Sequence, residues 1–208
     1  MSLIAAIIVS YLLGSIPTAY LFGRVSKGID IRQHGSGNVG ATNTFRVLGK
    51  GPGIFVLSVD ILKGVLALVV IGNLFGIGGM MGRVLLGVAV VCGHNWTVFL
   101  EFKGGKGIAT SLGVLIGMTI MFPALVPVLA VCLLSWCVTM HFSRYISVSS
   151  MLASVVLPLM MVITNQPPEM VFLGAIFCIF VVYRHRSNIK RLQLGTESKV
   201  NLPFLKKK

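Results

Sequence analysis

Charge is what this chain has least of. Only 11% of its 208 residues are charged, against about 25% in an average soluble domain. Five residues in all are acidic. Hydrophobic residues make up 55% and the mean hydropathy is +0.92, which excludes an ordinary soluble globule and points to an all-α polytopic membrane protein. No two of the four cysteines (Cys92, Cys132, Cys137, Cys178) have C-x-x-C spacing, and all lie in apolar runs. They read as small packing residues, neither a disulfide framework nor metal ligands. The N-terminal stretch "MSLIAAIIVSYLLGSIPTAYLFGRV" lacks a basic leading region and is too long for a signal peptide, so it reads as a first transmembrane helix. No internal repeat is evident, which weighs against a transporter or lipid flippase built on inverted repeats with a midplane site.

A helix needs about 20 apolar residues to cross the hydrocarbon core. Seven such stretches can be cut, at approximately 3–25, 52–75, 82–100, 108–121, 123–140, 147–165 and 169–184. The apolar run 108–140 is too long for one span and is divided near Phe122, beside Pro123. Seven spans put the connections 24–51, 101–107 and 141–147 and the basic tail 185–208 on one side. With Arg184 these hold 16 of the 18 Lys and Arg residues. The positive-inside rule then places the N-terminus outside and the C-terminus in the cytoplasm. Arg83 is the one basic residue assigned to the far side, and Lys63 lies inside a span. The net charge of +13 therefore calls for no nucleic acid. Topology and attraction to anionic lipid account for much of it, above all for Lys206, Lys207 and Lys208. The whole chain, 1–208, is expected to form one integral membrane domain.

The connections assigned to the outside are short and chemically plain. Polar motifs gather instead on the cytoplasmic face: "RQHGSGNVGATNTFR" (32–46), "GHNWTVFLEFKGGKG" (93–107), "YRHRSNIKRLQLGTE" (183–197) and "SRYISVSS" (143–150). "GSGNVG" matches the dinucleotide pattern G-x-G-x-x-G, but a transmembrane helix precedes it where that fingerprint requires a strand. What survives is simpler physics. Glycines let backbone amides approach an anion, Ser36, Asn38, Thr42 and Asn43 add neutral polar groups, and Arg46 supplies a guanidinium fork. "FKGGKG" runs into a helix beginning near Ile108, so Lys106 and a helix N-terminus make a second anion site. It is not a P-loop, since Gly107 stands where Ser or Thr would be needed. His185 and Asn188 share a helical face if the last span continues, and His185 titrates near neutrality. Asp60 and Lys63, three apart, can pair within the second span. A self-satisfied pair facing the bundle interior and a direct catalytic role both fit them.

"GSGNVGATN" with Arg46, "GHNW" with "FKGGKG", and "YRHRSNI" together resemble the bacterial acyl-phosphate:glycerol-3-phosphate acyltransferase family. "YLLGSIP" (11–17), "DILKG" (60–64) and "RYISVSS" (144–150) extend the resemblance over residues 11–197. It implies a seven-helix protein of the bacterial cytoplasmic (inner) membrane, its active site facing the cytoplasm. Such an enzyme transfers a fatty acyl group from acyl phosphate to glycerol 3-phosphate, giving lysophosphatidate and inorganic phosphate at the start of phospholipid synthesis. No histidine of the chain has the His-x-x-x-x-Asp pair of CoA-dependent acyltransferases. The chain is expected to act in the lipid bilayer without cofactor or metal, as a monomer or as an oligomer, the monomer being favoured.

The catalytic residues expected on this resemblance are Ser36, Lys106, Ser147, His185 and Asn188. Those expected to bind substrate are Gly37, Asn38, Asn43, Arg46, His94, Gly104, Gly105, Lys106 and Glu197. Ser36, Asn38 and the Gly104 and Gly105 amides are expected to hold the donor phosphate. Arg46 and Lys106 are expected to hold glycerol 3-phosphate, oriented by Asn188 and Ser147. His185 takes the hydroxyl proton or orients the hydroxyl.

Overall fold

The computed structural model describes residues 2–200; Lys206, Lys207 and Lys208 lie outside them. The described residues contain helices and turns and no strand. Two compact units divide the chain, 1–123 and 124–208, and the boundary coincides with the proline expected to split the run 108–140.

In the first unit, α1 (Ser2–Ser15) and α2 (Thr18–Lys27) form one long apolar segment broken at Ile16–Pro17. Pro17 has no N–H to continue the ladder, and the residue before a proline is driven out of the helical region. A short 3₁₀ turn at Ile31–Gln33 leads to α3 (Ala41–Leu48) and then α4 (Lys50–Leu74). The α4 helix widens into a π-turn at Ala67–Ile71. Next come α5 (Met80–Asn95), a 3₁₀ turn at Val98–Leu100 and α6 (Ile108–Met121). The second unit consists of α7 (Val126–Ser143), α8 (Ile146–Ile163), α9 (Pro168–Arg184) and α10 (Arg186–Gln193).

Five segments are long and apolar enough to cross a membrane: Ser2–Lys27, Lys50–Leu74, Met80–Leu100, Pro123–Ser143 and Ile146–Ile163. The pair α9–α10, bent by 54°, makes a sixth. The seventh expected span, α6, has 14 residues and is about 21 Å long at 1.5 Å per residue, short of the roughly 30 Å core.

Polarity is arranged inside out. Ile4, Phe55, Leu134, Ile163 and Ile179 are all more than half exposed, while Asp60, Lys63, Arg83 and His94 are buried. That is the distribution expected where lipid is the solvent. Arg83, the one basic residue assigned to the far side, is not a solvated surface charge. It is buried, donating to the Leu68 carbonyl and to Asn73 Oδ1 (2.6 Å for the latter). The widened ladder between Ala67 and Ile71 presents the Leu68 carbonyl that Arg83 reaches.

Helix pairs α1/α5 and α4/α6 pack in the first unit, and α7/α8 and α8/α9 in the second. In lipid, close packing of helices relies on small residues that let backbones meet. A Cβ on Gly14 would lie 2.0 Å from the Val90 carbonyl oxygen, and one on Gly113 1.9 Å from that of Ile61. Gly113→Leu is therefore expected to overpack the α4/α6 contact by about 1–3 kcal/mol. A lower melting temperature in detergent, with the helical circular-dichroism signal kept at low temperature, checks this.

Candidate functional site

The first unit contributes two glycine loops. In the loop 35–40, Gly35 (φ +62°) and Gly37 (φ +71°) flank Ser36, and only glycine takes that left-handed geometry freely. Gly37 N–H donates to the His34 carbonyl at 3.0 Å. Asn43 holds the loop from inside. Its Oδ1 accepts the Ser36 N–H (2.8 Å), and its Nδ2 donates to the carbonyls of Ile31 (3.2 Å) and His34 (3.0 Å). Asn43 is buried, so the structure corrects its expected role: its amide shapes the loop and is not turned toward a substrate. Ser36 and Arg46 are exposed, and Asn38 is half-buried. Arg46 forms no ion pair with any described residue.

Beneath this loop, Asp30 caps the 3₁₀ turn, accepting from the Arg32 backbone and guanidinium and pairing with Arg24 at 3.3 Å. The side-chain hydrogen bonds from Arg32 outweigh the burial that would raise it and hold the Asp30 carboxyl down at about 2.

The second loop, 104–107, docks on the C-terminal end of α5. Gly104 N–H donates to the Asn95 carbonyl (3.1 Å) and Gly105 N–H to that of His94 (3.0 Å). This corrects the expectation that these two amides hold phosphate: they satisfy carbonyls left open where α5 ends. The glycines are needed for approach. A Cβ on Gly105 would stand 2.1 Å from His94 Nε2 and 2.8 Å from the Val39 carbonyl oxygen. Val39 belongs to the first loop, so the two loops lie against each other at Gly105. Lys106, half-buried, follows at once, and Gly107 (φ +79°) turns the chain into α6.

Sequence reasoning passed over Asn95. Its side chain is fully buried and neither polar atom has a hydrogen bond among the described residues, while a Cβ on Gly107 would meet its Oδ1 at 2.6 Å. Its neighbour in sequence, His94, was the more conspicuous signal.

In the second unit the organising group is Glu197. Its carboxylate accepts from Ser147 Oγ (2.8 Å), Asn188 Nδ2 (2.5 Å) and Arg191 Nε (2.7 Å). Burial works to raise this carboxyl, and the donors from Asn188, Arg191 and Ser147 overcome it, holding it below its ordinary range. Three residues from α8 and α10 are thus fixed by one from the tail. Glu197 was expected to contact substrate; its geometry makes it the residue that positions Ser147 and Asn188. The tail is tied down further by Val200 N–H donating to the Arg144 carbonyl at 2.9 Å.

The last span does not continue straight through His185, as the shared-face expectation required. α9 ends at Arg184, and His185 occupies the corner before α10. It is buried, with Nδ1 2.7 Å from the Val181 carbonyl oxygen. A carbonyl can only accept, so Nδ1 carries the proton, and in the neutral ring Nε2 is the acceptor.

The architecture defines a helical integral membrane protein. The model of a family described as glycerol-3-phosphate acyltransferase matches residues 4–195. A curated relative from Moorella thermoacetica, named glycerol-3-phosphate acyltransferase 2, is 46% identical over 195 residues, covering 94% of this chain and 96% of its own. Two crystal structures of PlsY (YgiH), described as an integral membrane glycerol 3-phosphate acyltransferase, are similar throughout. The glycerol 3-phosphate form has a TM-score of 0.86 at 37% identity, and the lysophosphatidic acid form 0.83 at 36%. Both cover 97% of this chain and 96% of their own. The chain belongs to the glycerol-3-phosphate acyltransferase family. It is an acyltransferase acting on glycerol 3-phosphate.

Because the Asp30 carboxyl titrates below its ordinary 3.8, folding favours its ionised form. Its contribution is complete above pH 3.8 and is lost as pH falls toward 2. Asp30→Asn is expected to lower the melting temperature at pH 6 and to flatten the decline below pH 4. Thermal melts across that range check it.

Proposed function

We propose that the donor is an acyl phosphate and that the reaction releases lysophosphatidate and inorganic phosphate. The observation that carries this reading is the contact of the two glycine loops at Val39 and Gly105, which gathers Ser36, Asn38 and Lys106 in one region of the first unit. A mixed anhydride has a good leaving group, so the task is to position two anions and neutralise developing charge.

In this assignment the side chains of Ser36 and Asn38 take the donor phosphate, and Arg46 and Lys106 take glycerol 3-phosphate. Asn188 and Ser147, held by Glu197, orient the acceptor. Its hydroxyl oxygen attacks the acyl carbonyl carbon. The new ester C–O bond forms, the C–O bond to phosphate breaks, and inorganic phosphate departs with the electron pair. His185 Nε2 takes up the hydroxyl proton. A well-placed general base contributes about 10²–10⁴-fold.

We further assign the chain to the bacterial inner membrane as a monomer with seven crossings, the N-terminus outside and the motif loops at the cytoplasmic surface. The distribution of Lys and Arg supports that orientation. The seventh crossing requires the short α6 to span with its flanking loop residues, or the bilayer to thin around it.

Purified enzyme in detergent, given acyl phosphate and glycerol 3-phosphate without CoA, is expected to form lysophosphatidate and phosphate in equal amounts. Lys106→Ala and His185→Ala are each expected to lose at least about 100-fold in kcat/KM. Wild-type turnover in either variant would overturn the role given to that residue, and absence of product from the wild type would overturn the donor.

A further inference from the structure

Asp60 and Lys63 lie in the middle of α4, both about 97% buried, and no step of the reaction above uses them. One carboxylate oxygen of Asp60, Oδ1, is the centre of a small polar cluster. Lys63 Nζ donates to it at 2.7 Å and Thr18 Oγ1 at 3.2 Å, while His94 Nδ1 stands 3.8 Å away. The same Lys63 ammonium donates to the Ile16 carbonyl at 2.6 Å. That carbonyl sits at the break ahead of Pro17, and the neighbouring Ser15 carbonyl accepts from Thr97 Oγ1. Asp60, His94, Thr18 and Thr97 line a narrow pocket whose far wall is Val39, Gly104 and Gly105. The cluster therefore backs directly onto the place where the two glycine loops meet.

We propose that Asp60 is a positioning residue for acyl transfer, setting the His94 ring and through it the 104–107 loop that carries Lys106. The route is short. The side of the imidazole that bears Nδ1 faces the Asp60 carboxylate at 3.8 Å, and Nε2 on the opposite side meets Gly105 with no room for a Cβ between them. The His94 backbone carbonyl holds the Gly105 amide from below. A tilt of the ring thus moves Gly105 and the ammonium next to it. Lys63 serves to orient Asp60 while giving the Ile16 carbonyl a second donor beside the Thr18 N–H.

Two charges buried in a membrane segment are costly, and a pair that only held the bundle together could be exchanged for apolar side chains with a loss of stability and none of substrate binding. That difference makes the inference testable, and it rests on the roles proposed above for Lys106 and glycerol 3-phosphate. Full-length Asp60→Leu/Lys63→Leu is neutral and well sized for the bundle, and Asp60→Asn keeps the shape and removes the charge facing His94. Both are purified in detergent, their melting temperatures taken, and KM and kcat measured for each substrate. The expected result is folded protein with a lowered melting temperature, because the Ile16 carbonyl or the Lys63 ammonium loses a partner, with KM for glycerol 3-phosphate raised about ten-fold and kcat changed much less, since misplacing a binding group weakens ground state and transition state together. Wild-type KM in the folded double variant overturns the inference and leaves a purely structural pair. If the double variant is not recovered folded, Asp60→Asn decides by the same criterion. A wild-type enzyme inactive toward acyl phosphate would instead overturn the proposed donor.

Discussion

A carbonyl left open inside a membrane segment must find a donor, because lipid offers none. Pro17 creates that situation by interrupting the first span: the Ile16 carbonyl takes the Thr18 N–H and an ammonium from α4, and the Ser15 carbonyl takes a hydroxyl from Thr97. Much of the first unit is built around that answer. Lys63 can be buried there only with a counter-charge, which Asp60 supplies, and Thr18 is brought to Asp60 by the restart of the helix just beyond the break. The break also needs α1 and α5 close enough for Thr97 to reach Ser15, and the bare backbones at Gly14 and Gly93 permit that approach.

The glycines serve two physical purposes that look alike in sequence. Gly35 and Gly37 supply left-handed turns around Ser36. Gly104 and Gly105 instead supply clearance, since their amides are committed to the end of α5 and a side chain would strike the carbonyls of His94 and Val39 or the His94 ring. A phosphate-binding loop is usually imagined as a ring of inward amides. In the 104–107 loop the glycines bring Lys106 and the start of α6 close to the first loop.

Glu197 does for the second unit what Asn43 does for the first loop. Each is a polar residue whose hydrogen-bonding capacity is spent inside the protein, and each was legible in sequence only as one more polar group in a motif. Motif membership alone does not separate a residue that touches substrate from one that holds its neighbours. The separation comes from counting partners: three donors on one carboxylate, and three backbone groups on one amide.

Hydropathy alone determined where the apolar segments begin and end, to within a few residues, because a helix in lipid must be apolar over its whole length and the breaks at Pro123 and Pro167–Pro168 are chemical; the break at Pro17, inside the span expected over 3–25, came only with the structure. The motifs, read together, also determined the family. Tertiary structure decided what sequence spacing could not express. It turned Arg83 inward onto the π-turn of α4 and bent the chain at His185. It spent the Gly104 and Gly105 amides on the end of α5, and it joined Asp60 to His94 across 34 residues of sequence. The reason is common to all four. Each depends on which donor meets which acceptor in three dimensions, and that is set by how closely the helices pack.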